Sequence, residues 1–332
     1  MMSNDTNPLL SIIVIVYDMP RQAMNTLMSL SAGYQLGVDA TQYEVIVVEN
    51  SSANLIPPTE IRSLPSNFQY YCRDNLGVSP ASAINFAALN ARGKYLGLMI
   101  DGARMVSPGV IRNVLMAFRA NENALVVVPG YHLGHQEQQY HLTHAYTEAS
   151  EIALLESIAW PKHPYRLFEI AVWSGANSHG FFHPFMESNC LFMPFGVFDA
   201  LGRADERFQC PGGGMLNLDI YRRAALHLDT ELFMLAGEGS FHQLHGGVTT
   251  SEVVDRKAIL RRQLDEYATI RDTPFRSPTI EPILLGKFSA PALQFLKRSA
   301  ERGEERFKRF AASGEHPFAD ELLKFADQPT SG

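Results

Sequence analysis

"KYLGLMIDGARM", residues 94–105, begins as an apolar run and ends in a carboxylate, Asp101, which a glycine follows at once. Apolar runs without polar alternation are typical of strands that are buried on both faces of a parallel sheet. In sheets of this kind, ligands bind beyond the carboxyl ends of the strands. The stretch therefore predicts a buried strand with Asp101 at the mouth of a functional loop.

Four further segments of the same kind predict the rest of the sheet. They are LLSIIVIVY (9–17), YEVIVVEN (43–50), FQYYCRD (68–74) and ALVVVPG (124–130). Helical patterns lie between them, over residues 20–31 and after Ser79-Pro80 and Ser107-Pro108, where serine suits the N-cap and proline the first turn. Strand and helix in alternation predict an α/β fold with a doubly wound, mostly parallel sheet.

Acidic and amide side chains follow four of these strands. A single acid after a strand is usually a turn or helix-cap residue, but four such ends in series favour a binding site. The residues at these ends are Tyr17, Asp18, Glu49, Asn50, Asp74, Asn75 and Asp101.

The composition argues against several classes of protein. The 332-residue chain is 46% hydrophobic and carries a net charge of −7, so we expect no nucleic-acid partner. Its three cysteines have no metal-binding spacing, which predicts a reduced, cytoplasmic setting. The first ten residues lack a signal-peptide pattern, and no apolar run reaches the roughly 18–20 residues that span a bilayer.

The second half of the chain has a looser pattern. A strand (187–195), a helix after three glycines (211–228) and a strand with a glycine- and histidine-rich turn (231–247) are expected there. The amphipathic helices beyond residue 250 favour packing on the main domain, with a peripheral membrane contact as a second role. The histidines between residues 131 and 145 lack a carboxylate or cysteine partner, and we interpret them as part of a solvated loop rather than a metal site. They are His132, His135, His141 and His144.

The order of these segments resembles glycosyltransferase family 2, the inverting nucleotide-sugar transferases of the GT-A fold. SIIVIVYDMPR (11–21) lies where that family has its first strand and nucleotide-binding turn, and YEVIVVENSS (43–52) is similar to its second strand. DNLGVSPASAINFAALNARGKYLGLMIDGA (74–103) is similar to the long family signature that ends in the metal-site Asp. FDALGRADERF (198–208) resembles the segment before the acceptor helix.

This resemblance implies a Rossmann-like GT-A fold and a hexosyltransferase-type enzyme. Residues 1–130 would form the nucleotide-sugar-binding half, 131–250 the acceptor-binding half and 251–332 a helical C-terminal extension. The enzyme would move a sugar from a nucleoside-diphosphate donor to a hydroxyl of a glycan or lipid-linked glycan, as in polysaccharide biosynthesis, with Mn²⁺ or Mg²⁺ as cofactor. The implied donor contacts are Tyr17, Asp18, Glu49, Asn75, Gly77, Asp101 and Arg104.

The metal motif departs from the family pattern. The usual Asp-x-Asp is here Asp101-Gly102-Ala103, so one carboxylate ligand is missing. In related GT-A enzymes a histidine from the late region can reach the metal, and His242 and His245 are the candidates. His245 is favoured because it adjoins a double glycine, and imidazole suits Mn²⁺ better than Mg²⁺. Arg104 is either a fixed cation near the phosphates or a solvated surface residue.

The catalytic base also departs from the pattern. The family's acceptor helix begins Glu-Asp, with the Asp as base, whereas this chain has Leu216 and Asn217 there. An asparagine cannot accept a proton at neutral pH. Glu187, at a strand mouth, is the first candidate for the base and Asp219 the second. Either carboxylate could instead be structural.

The two departures leave another hypothesis open. A catalytically inactive relative could still bind a sugar nucleotide or a partner protein. Nucleotidyltransferases and dinucleotide-dependent dehydrogenases are disfavoured, because YDMPRQ (17–22) after the first strand contains no glycine-rich loop.

Overall fold

A large mixed sheet organises the computed structural model, which describes residues 7–74, 79–137, 146–185, 188–246 and 256–314. In chain order the strands are β1 (Leu10–Val16), β2 (Tyr43–Asn50), β3 (Phe68–Arg73), β4 (Tyr95–Met99), β5 (Arg104–Val106), β6 (Ala124–Val127), β7 (Gly130–Leu133), β8 (Ala171–Trp173), β9 (Leu191–Pro194), β10 (Glu231–Leu235), β11 (Ser240–His242) and β12 (Ile283–Leu285). The helices are α1 (Pro20–Leu30), α2 (Pro58–Ile61), α3 (Ala81–Asn90), α4 (Val110–Ala120), α5 (Glu148–Ser157), α6 (Phe195–Ala200), α7 (Leu216–Ala225), α8 (Arg256–Arg271) and α9 (Leu293–Ser313).

Within the described residues the large sheet has eight strands in the order β12-β10-β6-β9-β4-β1-β2-β3. Only β9 runs antiparallel to its neighbours in this sheet, and the other pairs are parallel. The predicted α/β class with a mostly parallel sheet is therefore confirmed.

The burial of β1 explains why its sequence lacks alternation. Ile13 and Ile15 point into one hydrophobic core, while Ile12, Val14 and Val16 point into a second core on the opposite face. Because both faces are covered, every position of the strand favours an apolar side chain. β2 and β4 follow the same rule, with seven consecutive buried positions in β2 alone.

A small four-stranded sheet, in the order β5-β11-β7-β8, lies beyond the end of β4. β11 pairs antiparallel with β5 and parallel with β7. In this register His242 lies opposite Arg104 on one side and His132 on the other. The small sheet therefore places the segment that follows Asp101 beside the strand that leads into the histidine turn.

The C-terminal residues pack on this framework. β12 extends the large sheet by pairing with β10, and Phe295 of α9 packs against Tyr131 and Trp173. This contact confirms the predicted packing of the C-terminal helices on the rest of the protein. No helix among the described residues is long and apolar enough to span a bilayer, and a peripheral membrane contact stays a prediction.

One predicted helix start is wrong and another is displaced. Ser107 is not an N-cap, since α4 begins at Val110 and the Ser107 hydroxyl donates to the buried Glu238 carboxylate at 2.5 Å. Ser79 Oγ does accept a helical N–H, that of Ala81, at 3.3 Å. A buried carboxylate competes strongly for a serine hydroxyl, because charge-assisted hydrogen bonds are the stronger ones.

Gly102 marks a close approach between the Asp101 turn and β1. A Cβ at this position would lie 2.7 Å from the Ile15 carbonyl oxygen and 3.0 Å from a Val16 methyl carbon. We expect Gly102→Ala to lower the free energy of unfolding by about 1–3 kcal/mol, because the backbone of a packed strand must shift. Urea denaturation measures this effect.

Gly196→Ala on α6 is the matched control, because nothing lies within 4 Å of the position that the added methyl group would take. This substitution should leave stability unchanged or raise it slightly. Equal stabilities for the two variants would contradict the close approach at Gly102.

Candidate functional site

Three side chains direct their ligand atoms towards one point. The ligand atoms of Asp101, His242 and His245 all lie within 4.8 Å of one another. His242 Nε2 is 3.0 Å from Asp101 Oδ2 and 3.0 Å from His245 Nε2, and His245 Nε2 is 3.7 Å from Asp101 Oδ1. One carboxylate and two inward-facing imidazoles form a donor set that fits a divalent transition metal. The predicted candidates are thus brought together, and metal binding by them stays a prediction.

Local structure fixes two of these groups. Asp101 follows β4, and its Oδ1 accepts the Ala103 N–H at 3.0 Å. Ala103 therefore orients the carboxylate through its backbone, although its side chain cannot be a ligand. His242 is the last residue of β11, and the register with β5 holds it beside Asp101.

The protonation state of the cluster suits a cation. Burial is the largest influence on the pKa of Asp101 and would raise it, but His242, His245 and Arg104 together hold this pKa well below its ordinary value. Burial lowers the pKa of His242 to about 4, although Asp101 opposes the shift. Near neutral pH the carboxylate is therefore ionised and His242 is neutral, which is the form in which both groups ligate metals.

Arg104 belongs to the site and is not a solvated surface residue. It is 7% exposed, and its Nε lies 3.4 Å from Asp101 Oδ2. The solvated alternative is wrong, because β5 places this side chain in the small sheet beside His242. Its action on donor phosphates stays a prediction.

A cleft of about 490 Å³ adjoins the cluster, with Asp18, Arg21, Asn54 and His245 in its lining. Asp18 has a φ of 55° and accepts a hydrogen bond from Asn54 Nδ2 at 2.9 Å. Tyr17, at the end of β1, is 54% exposed. The predicted nucleotide-binding turn and a predicted metal ligand therefore line one concave surface, which is large enough for a small ligand.

The described contacts of Glu49 are internal. Its buried carboxylate accepts the Tyr70 hydroxyl at 2.5 Å and the Ile56 N–H at 3.1 Å, and burial raises its pKa. These contacts fix the turn after β2, and a nucleotide contact by Glu49 stays a prediction. Several other named residues lie outside the described residues. They are Asn75, Gly77, His141, His144 and Glu187.

Asp219 lies in a buried ion pair. It is 0% exposed, its Oδ1 and Oδ2 accept from Arg271 at 2.7 and 2.6 Å, and Arg223 adds a contact at 3.2 Å. A general base has to reach the acceptor hydroxyl with a free lone pair. This placement suits the structural alternative for Asp219.

The interpretation of His132 as part of a solvated loop is wrong, and Glu238 is also buried. His132 is not solvated: it is 8% exposed on β7, and its ring centroid is 4.9 Å from that of His242. Glu238, four residues before His242, is fully buried and accepts from Asn113 and Tyr165. The three-residue and four-residue strands that set these positions are too short to be recognised by periodicity.

Comparison with known proteins identifies the family. The family model for glycosyl transferase family 2 matches residues 11–186, more than half of the chain. The chain belongs to this family, and the implied GT-A fold and family membership are confirmed.

Similar solved structures have low identity to this chain. A crystal structure of S. aureus TarS 1–349 is 11% identical with a TM-score of 0.49, and the match covers 92% of this chain and 75% of that chain. Its complex with UDP-GlcNAc is 13% identical with a TM-score of 0.48, covering 92% and 76%. The mannosyltransferase PcManGT from Pyrobaculum calidifontis, in complex with GDP-Man and Mn²⁺, is 12% identical with a TM-score of 0.48, covering 94% and 77%. No curated protein matches the chain.

Asp219→Asn tests the structural role of the ion pair. We expect the free energy of unfolding to fall by about 3 kcal/mol, because Arg271 and Arg223 lose their fully buried counter-charge. Among the described residues, Arg271 keeps only the more exposed Asp205 as an ionic partner, at 2.8 Å. Asp199→Asn is the control, since Asp199 forms a more exposed pair with Arg203 and should cost less than about 1 kcal/mol. Denaturation curves of both variants measure the difference. Lost turnover at unchanged stability would instead make Asp219 the base.

Proposed function

We propose that this family 2 protein is a metal-dependent, inverting hexosyltransferase. It moves a sugar from a nucleoside-diphosphate donor to a hydroxyl of a glycan or lipid-linked glycan, in cytoplasmic polysaccharide biosynthesis. The observation that carries the proposal is the convergence of Asp101, His242 and His245 beside a cleft at the carboxyl end of the sheet.

The donor is held by two kinds of group. Asp101, His242 and His245 hold a divalent cation, which stabilises negative charge on the leaving diphosphate. Arg104 adds a buried positive charge next to Asp101. Tyr17 and Asp18, at the end of β1, contact the nucleotide, with Glu49, Asn75 and Gly77 as further contacts.

The transfer itself needs a base. The acceptor oxygen attacks the anomeric carbon from the face opposite the nucleotide, the bond from that carbon to the diphosphate oxygen breaks, and the acceptor proton passes to the base. We assign this role to Glu187. In support, Asn217, which occupies the position of the family's base, donates to Asn189 at 2.8 Å. Asn189 lies two residues after Glu187 and two before β9, so this segment contacts the acceptor helix.

The division of the chain follows from these roles. We propose residues 1–130 as the donor-binding half, 131–250 as the acceptor-binding half and 251–332 as the C-terminal extension. Asp101 comes from the first part and both histidines from the second, so the metal site would join the two halves.

Nucleotide-dependent melting tests the donor site. The melting temperature is measured with UDP, GDP, dTDP and CDP, each with Mn²⁺, Mg²⁺ or EDTA. We expect one nucleotide to raise it by about 5 °C at 100-fold excess over its Kd, because a ligand of the folded state alone stabilises it. The rise should require the metal and should be absent in Asp101→Asn.

Three outcomes would count against this assignment. A rise in melting temperature that persists in EDTA would mean that Arg104 and backbone N–H groups, and not a cation, stabilise the charge of the diphosphate. An unchanged rise in Asp101→Asn would remove the metal role of that residue. No rise with any nucleotide would favour the inactive relative, which Ala103 and Asn217 already suggest as the second candidate.

Glu187→Gln tests the base. We expect kcat for nucleotide release to fall by about 10²–10⁴-fold, because proton transfer loses its acceptor. The nucleotide-dependent rise in melting temperature should remain. Glu169→Gln, which changes an exposed acid paired with Arg166, should leave kcat unchanged. Normal turnover in Glu187→Gln would move the base to another residue.

A further inference from the structure

A buried polar stripe runs along one face of α1. Gln22 is followed three and four positions later by an adjacent pair, and that pair is followed three and four positions later by Ser29, so all four lie on one face of the helix. Three of them are 5% exposed or less. Polar groups at such depth are costly unless they are hydrogen-bonded, so their partners indicate what the stripe holds. The stripe consists of Gln22, Asn25, Thr26 and Ser29.

The first part of the stripe binds the loop between the two histidines. Gln22 Nε2 donates to the Leu244 carbonyl at 2.6 Å, and Gln243 Nε2 donates back to the Gln22 carbonyl at 2.9 Å. Asn25 Nδ2 donates to Gln243 Oε1 at 2.8 Å. Gln243 and Leu244 are the only residues between His242 and His245, so α1 holds the whole connection.

The second part of the stripe binds the segment that carries Asp101. Thr26 Oγ1 donates to the Gly102 carbonyl at 2.7 Å, and Ser29 Oγ accepts the Val106 N–H at 3.0 Å. The Gln243 N–H also donates to the Ala103 carbonyl at 2.9 Å. One helix face therefore holds both ligand-bearing segments and fixes their separation.

Glu151 on α5 completes this arrangement. Its carboxylate is 0% exposed; Oε2 accepts the Leu244 N–H at 2.6 Å, and Oε1 accepts from Arg21 at 2.8 Å. Both backbone polar groups of Leu244 are thus bound, the N–H by Glu151 and the carbonyl by Gln22. A loop with both groups bound has little freedom to move His245.

We propose that the polar stripe of α1, together with Glu151, positions the metal ligands by fixing the distance between Asp101 and the two histidines. This role rests on the proposed metal site. A cation that binds ligands already in place does not have to order two loops, so lost positioning appears as lost affinity. Outer groups that orient metal ligands typically change affinity by about 10–100-fold when they are removed.

Thr26 gives the sharpest test, because it is 0% exposed and valine has almost the same shape. The Kd for Mn²⁺ of the full chain is measured by calorimetry and by the manganese electron-spin signal, without substrate. We expect Thr26→Val to raise this Kd by about tenfold, and Thr26→Ser, which keeps the hydroxyl, to restore it to within about twofold. Glu151→Leu and Gln22→Leu should raise it similarly.

Asn85→Ala is the matched control. Asn85 on α3 also binds the backbone of a distant loop, through the Ala204 carbonyl at 2.9 Å and the Ala204 N–H at 3.1 Å. Its loss should lower the melting temperature without changing the Mn²⁺ Kd. An effect on stability alone is what a merely structural contact produces.

The outcomes separate the two proposals. The proposed metal site would be overturned if the wild-type protein bound no Mn²⁺, or if the Asp101→Asn variant bound Mn²⁺ as tightly as the wild type does. A second outcome would overturn the positioning role alone. In that outcome the wild-type protein binds Mn²⁺ and Asp101→Asn does not, but binding is retained in Thr26→Val, Gln22→Leu and Glu151→Leu. A Kd that rises equally in Asn85→Ala would also overturn it, because the effect would then follow general stability. If Thr26→Val does not fold, Gln22→Leu decides.

Discussion

The site depends on one largely buried carboxylate that remains ionised. Burial alone would favour the neutral form of Asp101, but Arg104 and two histidines outweigh that effect on its pKa. The same burial keeps His242 neutral. An anionic oxygen beside a neutral ring nitrogen, 3.0 Å apart, is the arrangement that a divalent cation needs from its ligands. The surrounding contacts maintain this pair of protonation states.

The small sheet makes this pairing possible. Its register places His242 directly opposite Arg104 and His132, so this imidazole projects from a strand of the sheet rather than from a loop. The family pattern puts both carboxylates in one short motif. This chain has alanine at the second position, and imidazoles from a segment about 140 residues further along lie beside the remaining carboxylate. Segments so far apart in sequence need a scaffold to hold them together, and α1 bonds to both of them.

Four carboxylates among the described residues have their bonding capacity used inside the protein. Asp219, Glu238, Glu49 and Glu151 are all fully buried. Each accepts from internal donors: arginines, hydroxyls or backbone N–H groups. Such groups stabilise turns and helix contacts, because an unpartnered buried carboxylate would be costly. An acid at a strand end or helix start is therefore not by itself evidence of a functional site in this protein, because such an acid can be used entirely in internal contacts.

The sequence alone determined the α/β class, the main strands and the family, because buried parallel strands read as unbroken apolar runs and the signature of residues 74–103 is local. The resemblance to the family also pointed to Asp101, His242 and His245 as metal-ligand candidates, because a histidine from the late region can reach the metal in related enzymes. The sequence could not determine that both histidines converge on Asp101, that Arg104 and His132 are buried, or that Ser107 bonds to Glu238. These facts depend on strands of three or four residues and on contacts between residues more than 100 positions apart. Only tertiary packing fixes such contacts, because no local periodicity encodes which distant segments share a face of a helix.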